Sequence, residues 1–254
     1  MDFNNKIVLV TGGTSGIGKE IAKQLLMQGA TVIINYGHNE EQKHLASEEL
    51  KEYENKILFV KSDISNEDDV RNMFEIINKR YKKLDYLVNN AGTNIDEMIE
   101  DANLENYMKV INTNFIGKML CTKYAIPLMK NGNGSSIVNV ASGLGIKPCE
   151  MSSAYCAASA AIINFTKASA IELSKYKIRV NSICPGFTPT PLSLDSWSEE
   201  EINHKKEINP LGRLGTPVDM ANAVLFLLSD MASYINGENI SINGGSKLIW
   251  KQKY

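Results

Sequence analysis

Short runs of apolar and β-branched residues alternate with longer amphipathic segments along most of the chain. Several of the short runs are almost wholly apolar, which is typical of parallel strands covered on both faces. The pattern predicts seven strands, at Lys6–Val10, Thr31–Asn35, Ile57–Lys61, Tyr86–Asn89, Ser136–Val140, Arg179–Ile183 and Asn239–Ile242.

Segments long enough for helices lie between these strands, for example at Gly18–Gln28 and Asp68–Tyr81. In the first segment, apolar residues recur at helical spacing from Ile17 to Leu25, with lysines and Glu20 on the other side. Alternating strands and helices favour an α/β fold, a doubly wound parallel sheet flanked by helices. Because the chain has no Pro-, Gly- or Ser-rich linker and no repeat, we expect a single domain over residues 1–254.

One polar segment, from Thr188 to about Asn209, has no strand pattern. An insertion of this length in a compact domain is usually a functional lid or a mobile loop. We therefore expect a substrate lid at about residues 188–209, and the alternative is a solvated excursion of helix and loop. Leu192, Leu194 and Trp197 are candidates for lining a substrate pocket, although ordinary packing explains them equally well.

Composition and charge narrow the class of protein. Of the 254 residues, 43% are hydrophobic and 22% are charged, as in average soluble globular domains. The net charge of −2 gives no basic footprint for nucleic acid and no polybasic anchor for a membrane. No apolar run approaches the roughly 18 residues of a membrane span, and the N-terminus leads into the first predicted strand without a signal peptide. We therefore expect a cytoplasmic protein.

The four cysteines are scattered, without a Cys-x-x-Cys pair. In a chain without a leader, free buried thiols are expected more often than disulfides. We also predict no metal site. The cysteines concerned are Cys121, Cys149, Cys156 and Cys184.

A glycine-rich turn from Thr11 to Gly18 separates the first predicted strand from the first predicted helix. Glycines at such a corner allow a tight turn and a close approach to a pyrophosphate, while the free N–H groups of the helix face the anion. The turn lacks a Gly-Lys-Ser/Thr ending, which argues against a phosphate loop for ATP or GTP. It therefore predicts a dinucleotide site in a Rossmann-type fold, formed by Gly12, Thr14, Ser15, Gly16, Ile17 and Gly18.

The spacing Thr-Gly-x-x-x-Gly-x-Gly in this turn resembles the signature of the short-chain dehydrogenase/reductase family. Within that family, the chain is most similar to the branch of 3-oxoacyl-(acyl carrier protein) reductases, partly through Asn35, Tyr36 and Asn39. Further matches follow in the family's order and extend over essentially the whole chain: Asp63-Ile64, Asn89-Asn90-Ala91-Gly92, Asn114-Phe115-Ile116-Gly117, Ser142, Tyr155 and Pro185-Gly186.

The resemblance implies hydride transfer between a nicotinamide dinucleotide and a carbonyl or alcohol carbon. It assigns Asp63 to the adenine ring, although an Asp before a helix is as often a cap, and Thr188 to the nicotinamide carboxamide. It also implies a homo-oligomer, usually a tetramer, and a small-molecule or carrier-bound carbonyl substrate from biosynthesis. The other cofactor contacts that it implies are Ile64, Asn90, Ala91, Gly92, Tyr155, Pro185 and Gly186.

The end of the second predicted strand bears on the choice between NAD and NADP. A carboxylate there would bind the adenosine ribose and repel a 2′-phosphate, and family members that prefer NAD usually carry Asp where this chain has Tyr36. Two basic residues common in NADP-binding relatives are replaced by Ser15 and Gly37. His38 and Lys19 are nearby sources of positive charge. We therefore predict NADP(H) in preference to NAD(H).

The resemblance assigns proton transfer to Tyr155, orientation of the carbonyl to Ser142 and organisation of a relay water to Asn114. A tyrosine titrates near 10 and needs a neighbouring cation to act near neutral pH. The family supplies it with a lysine four residues later, on the same helix face. Here Ser159 occupies that position, and a hydroxyl provides no fixed charge. Without compensation, the rate would fall by about 10²- to 10⁴-fold.

Other lysines near the motif do not obviously compensate. Lys167 is too far along the helix, and Lys147 is more readily explained as a solvated loop residue. Three functions stay open: a slow or specialised reductase, a cofactor-binding enzyme with non-redox activity such as dehydration, isomerisation or cyclisation, and a catalytically silent binding subunit. The joint presence of Asn114, Ser142 and Tyr155 favours the oxidoreductase.

Overall fold

One parallel sheet forms the centre of the computed structural model, which describes residues 1–132, 134–191, 197–246 and 248. All seven predicted strands are confirmed; the second and sixth extend further at their carboxyl ends than the sequence pattern indicates. The strands are β1 (Ile7–Val10), β2 (Thr31–Tyr36), β3 (Ile57–Lys61), β4 (Tyr86–Asn89), β5 (Ser136–Val140), β6 (Arg179–Pro185) and β7 (Asn239–Ile242).

Polar residues define where the helices begin. Asn66 accepts hydrogen bonds from the first two N–H groups after Glu67, and Thr216 forms a capping box with Asp219. The described helices are each too short or too polar to cross a lipid bilayer. They are α1 (Gly16–Met27), α2 (Glu40–Glu49), α3 (Glu67–Tyr81), α4 (Leu104–Ile111), α5 (Gly117–Met129), α6 (Ser153–Leu173), α7 (Glu199–Glu207) and α8 (Pro217–Leu228).

Two hydrophobic cores cover the two faces of the sheet. Val8 and Val10 of β1 pack in one core with α1 and α8, and Leu9 between them packs in the other with α3, α5 and α6. Successive strand side chains point to opposite faces, so a strand buried on both sides needs apolar residues at every position. This explains why the strands appear in the sequence as continuous apolar runs.

The order of the strands determines where a ligand can bind. The sheet runs β3-β2-β1-β4-β5-β6-β7, so the chain order reverses on either side of β1. The loops after β1 and β4 therefore lead away in opposite directions and leave a crevice outside the carboxyl ends of the strands. All six strand pairings are parallel, so the loops that follow β1–β6 meet at this same edge.

The predicted lid and the cysteines have mixed outcomes. Within the segment 188–209, Leu192 and Leu194 lie outside the described residues, and α7 occupies most of the second half.

The four cysteines are free, as expected, but only Cys121, Cys156 and Cys184 are buried. Cys149 is exposed, because it lies in the loop between β5 and α6 rather than under a helix.

Arg179, at the amino end of β6, holds the carboxyl end of α8. Its guanidinium donates to the carbonyl oxygens of Leu227 (2.8 Å), Leu228 (3.2 Å) and Ser229 (3.1 Å). Carbonyls at the end of a helix have no partner within the helix, and a cation there also interacts favourably with the helix dipole. Arg179 therefore stabilises the fold at the sheet edge opposite to the crevice.

We expect Arg179→Met to lower the free energy of unfolding by about 2–4 kcal/mol, because several partly buried carbonyls lose a charged donor. Urea unfolding measures this loss. Arg80→Met on the exposed face of α3 is the control and should change stability by less than about 0.5 kcal/mol. Equal losses in the two variants would contradict the role given to Arg179.

Candidate active site

A cleft of about 1130 Å³ occupies the crevice at the carboxyl ends of the strands. Segments that follow all seven strands line it, together with residues of α5 and α6. Its volume suits a dinucleotide and a substrate together. The structure brings all predicted site residues to its wall except Gly18: Gly12, Thr14, Ser15, Gly16, Ile17, Tyr36, His38, Asp63, Ile64, Asn90, Ala91, Gly92, Asn114, Ser142, Tyr155, Ser159, Pro185, Gly186 and Thr188.

Gly18 lies beneath the glycine turn and permits its tight packing. A Cβ atom there would lie 2.2 Å from the carbonyl oxygen of Gly12 and 2.4 Å from the side-chain nitrogen of Asn90. Gly12 itself has a φ of +61°, and a Cβ there would lie 2.8 Å from the Cα of Ala91. Side chains at these two positions would therefore push the turn away from β4.

The loop after β4 fastens this turn through Asn90. Its amide donates to the carbonyls of Thr11 (3.0 Å) and Gly12 (3.1 Å). In return, the Thr11 hydroxyl accepts hydrogen bonds from the backbone N–H groups of Asn90 and Ala91. Two motifs that are 79 residues apart in the sequence thus form one hydrogen-bonded unit.

The start of α1 fits a pyrophosphate. Ser15 is the N-cap residue, yet its side chain makes no capping hydrogen bond, and the first turn contains no acidic residue. The N–H groups of this turn are therefore not used by a cap and face the cleft without a competing negative charge. Thr190, after β6, closes over the turn, because a Cβ at Gly16 would lie 3.2 Å from its Cβ.

The wall at the predicted adenosine end is formed by Tyr36, His38 and Asp63, which lie at or just after the ends of β2 and β3. The Tyr36 hydroxyl lies 3.3 Å from Glu40, whose carboxylate also pairs with Lys61 at 2.8 Å. The Lys61 hydrogen bond lowers the pKa of Glu40, so this carboxylate is ionised and already paired. Lys19, a candidate phosphate contact from the sequence, pairs instead with Glu49 of α2 and does not line the cleft.

One oxygen of the Asp63 carboxylate binds the loop before α3, and the other faces His38. Its Oδ1 accepts from the N–H and the hydroxyl of Ser65, at 2.9 Å and 2.7 Å, and its Oδ2 lies 3.4 Å from the His38 ring. Burial alone would raise the pKa of Asp63, but the Ser65 and His38 hydrogen bonds outweigh it and the pKa is lowered. The N-cap of α3 is Asn66 and not Asp63, and the adenine contact of Asp63 stays a prediction.

Ser142 and Tyr155, the predicted residues for carbonyl orientation and proton transfer, both line the cleft. Ser142 follows β5, and its oxygen accepts a hydrogen bond from the Leu144 N–H at 3.1 Å. Burial raises the pKa of Tyr155, and an interaction with the nearby Ser142 side chain opposes that rise only in part. Tyr155 is therefore a protonated acid at neutral pH.

The loop after β4 also positions the start of α6, a feature that the sequence did not reveal. Asp96 accepts a hydrogen bond from the Ser152 hydroxyl at 2.7 Å, and the Glu97 N–H donates to the Met151 carbonyl at 2.7 Å. Met151 has a left-handed φ of +62°, which turns the chain sharply into the helix. These contacts place Tyr155 one turn into α6.

Asn114 lies in a π-helical segment, Asn112–Ile116, between α4 and α5. Its amide donates to the carbonyl of Thr93, and its oxygen accepts the Thr93 N–H, both at 2.8 Å. Short π-helical segments occur frequently at functional sites because they displace a side chain from the helical register. Here the displaced Asn114 holds the loop that follows the Asn90 motif.

Ser159 is buried at the same wall, 5% exposed, directly under Gly145. The sequence candidate Lys147 is exposed and lies outside the cleft. A lysine that sequence reasoning missed, Lys118 at the start of α5, is buried and lines the cleft, with its ammonium donating to the Val140 carbonyl. The sequence feature that could have indicated Lys118 is a single charged residue within an apolar helical segment, four residues after Asn114.

Two aromatic residues bound the substrate side. Phe187 follows β6, and the predicted lid residue Trp197 packs edge to face against it, with ring centroids 6.0 Å apart. The Lys205 ammonium of α7 lies over both rings, 5.2 Å and 4.8 Å from their centroids. All three side chains line the cleft, so the described part of segment 188–209 forms one of its walls.

Comparisons with known proteins agree with this geometry. A family model described as Enoyl-(Acyl carrier protein) reductase matches residues 12–247. The chain is 38% identical over 244 residues to the 3-oxoacyl-(acyl-carrier-protein) reductase FabG of Aquifex aeolicus, covering 96% of this chain and 98% of that one. It is 35% identical over 240 residues to FabG of Staphylococcus aureus strain Mu50, covering 94% and 97%.

A solved structure shows the same fold. The crystal structure of a short-chain type dehydrogenase/reductase from Mycobacterium marinum superposes with a TM-score of 0.91 at 31% identity, covering 98% of each chain. Similarity over nearly the full length, in both sequence and fold, leads to one assignment. The chain belongs to the short-chain dehydrogenase/reductase family.

Proposed function

We propose that this protein is an NADP(H)-dependent reductase of the keto group of a 3-oxoacyl thioester. The observation that carries the proposal is that Ser142 and Tyr155 line the same cleft as the glycine turn and that the Ser142 side chain is close enough to influence the pKa of Tyr155. The curated relatives named above are reductases of 3-oxoacyl groups on acyl carrier protein, which supports this substrate class. The four catalytic candidates from the sequence, Asn114, Ser142, Tyr155 and Ser159, line one cleft.

When bound, the nicotinamide ring supplies the hydride. The protein's own part is to polarise the carbonyl and provide a proton. Because the Ser142 oxygen accepts the Leu144 N–H, its hydroxyl hydrogen is directed to another acceptor, either Tyr155 or a substrate oxygen. Tyr155 retains its proton at neutral pH and donates it to the oxygen that becomes the alcohol. Asn114 keeps the adjoining loop in place through Thr93.

The preference for NADP(H) rests on the end of β2. Tyr36 stands there with a neutral phenol, and Gly37 has no atom within 4 Å of the position a Cβ would take, which leaves room for a phosphate. The two nearby carboxylates are engaged, Glu40 with Lys61 and Asp63 with Ser65 and His38. The Glu40 carboxylate beside Tyr36 is therefore paired with a cation, which lowers its repulsion of a 2′-phosphate.

We expect Tyr155→Phe to lower kcat for NADPH oxidation with an acetoacetyl thioester by about 10²- to 10⁴-fold, because the proton donor is removed. The dissociation constant for NADPH should change less than threefold, as measured by quenching of protein fluorescence. Tyr107→Phe on α4 is the control and should leave kcat unchanged. Conversion of the thioester without loss of reduced nicotinamide would instead support a non-redox enzyme, and cofactor binding without any conversion a binding subunit.

Cofactor choice is tested by the pair Tyr36→Asp and Tyr36→Asn, which differ in charge but hardly in size. We expect Tyr36→Asp to weaken NADPH binding at least tenfold relative to NADH, since a carboxylate repels the 2′-phosphate. Tyr36→Asn should change the ratio of the two dissociation constants by less than about threefold. If both variants weaken NADPH and NADH equally, position 36 does not determine the preference.

A further inference from the structure

A buried cation lies in the wall of the cleft where no sequence motif indicated one. Among the charged residues that the structure describes, Lys118 is the one whose side chain is buried, with 5% of its surface exposed. Its ammonium has the Val140 carbonyl as a hydrogen-bond partner. Burying an ammonium group is costly unless it is fully paired, so a methionine of similar size would be expected here if packing alone mattered.

The position of Lys118 relates it to Ser159. Helices α5 and α6, which carry the two residues, cover the same face of the sheet, and both residues line the cleft. The Val140 carbonyl that holds the ammonium lies two residues before Ser142. One turn after Ser159, Ile162 packs on Cys184 of β6.

Cys184 connects Lys118 with the proton donor. Its thiol interacts electrostatically with the Lys118 ammonium and also with the Tyr155 phenol, so the buried Cys184 lies near both groups. Burial raises the pKa of Cys184 to about 11 and that of Cys121, the other titratable neighbour of Lys118, to about 12. Both thiols are therefore neutral near pH 8 and leave the ammonium uncompensated.

We propose that Lys118 is a positioning residue that supplies, from α5, the positive charge that Ser159 does not supply from α6. The proposal rests on the reductase function above. In carbonyl reduction the Tyr155 O–H bond breaks, its proton forms the O–H bond of the alcohol, and a phenolate is left. The Lys118 ammonium, in the wall of the same cleft, stabilises that developing negative charge.

The proposal has a consequence for pH dependence. Burial lowers the pKa of Lys118 to about 8, so the group is charged at neutral pH and loses its charge as pH rises through that value. Carbonyl reduction should therefore slow above about pH 8. A lysine with only a packing role would not make the rate of carbonyl reduction fall above this pH.

We expect Lys118→Met to lower kcat at neutral pH by about 10- to 10³-fold and to remove the decline that the parent shows above pH 8. The rate is followed by NADPH oxidation with an acetoacetyl thioester, and the NADPH dissociation constant should change less than threefold. Lys123→Met, an exposed lysine on the same helix, is the matched control and should resemble the parent in both rate and pH profile. An unchanged rate and profile in Lys118→Met would overturn the proposal.

A charge moved between helices gives a second test. In Lys118→Met/Ser159→Lys the cation returns to the position that the family uses, and we expect at least tenfold recovery of kcat over Lys118→Met. Ser159→Lys alone should raise the parent rate less than threefold, because a cation is already present. A gain of about 10²-fold in that single variant would show an uncompensated deficit and refute the role of Lys118.

Unfolding in urea separates this inference from the proposed function without any substrate. We expect Lys118→Met to be more stable than the parent at neutral pH, because the folded parent carries the buried charge. Since folding lowers the pKa of Lys118, parent stability should rise relative to the variant from about pH 8 upward. A less stable variant at neutral pH would indicate a structural role and overturn the proposal, whereas an inactive but otherwise normal parent would refute only the reductase function.

Discussion

The contact between the glycine turn after β1 and the loop after β4 is the constraint on which the rest of the site depends. The Asn90 amide binds two carbonyls of the turn, and Gly18 allows the turn to lie within van der Waals distance of it. This contact places the start of α1 at the switch point of the sheet. The same loop continues through Thr93, which bonds to Asn114, and Asp96, which bonds to Ser152. One loop therefore sets the relative positions of the pyrophosphate site, the π-helical segment and the helix with Tyr155.

The two edges of the sheet have different roles, because Arg179 stabilises the fold at one edge and the cleft lies at the other. At the amino edge, Arg179 satisfies carbonyls at the end of α8 and contacts no part of the cleft. At the carboxyl edge, burial raises the pKa of Tyr155 and lowers that of Lys118, and both side chains line the cleft. Titratable groups with shifted pKa values in the wall of a cleft are typical of active sites.

The role proposed for Lys118 shows how one chemical requirement can be met from a different helix. A tyrosine that donates its proton becomes a phenolate, and a nearby positive charge stabilises it. This stabilisation does not depend on which helix bears the lysine. In this chain α6 presents a hydroxyl at Ser159, and α5 presents a buried ammonium at Lys118 on the same face of the sheet. The family's lysine motif is one solution to this requirement, and the cleft itself contains a second candidate.

The sequence by itself determined the strands, their parallel arrangement and the nucleotide turn. These follow from local rules: doubly buried strands must be apolar throughout, and a strand-to-helix corner around an anion requires glycines. The resemblance to the family assigned roles to Ser142, Tyr155 and Asn114, and all three line one cleft. Only the tertiary structure decided what surrounds them. Three examples are the hydrogen bonds of Asn90 to the glycine turn, the ion pair of Lys19 with Glu49, and the position of Lys118 in the wall of the cleft. These contacts join segments that are far apart in the chain, and hydrophobic periodicity contains no information about them.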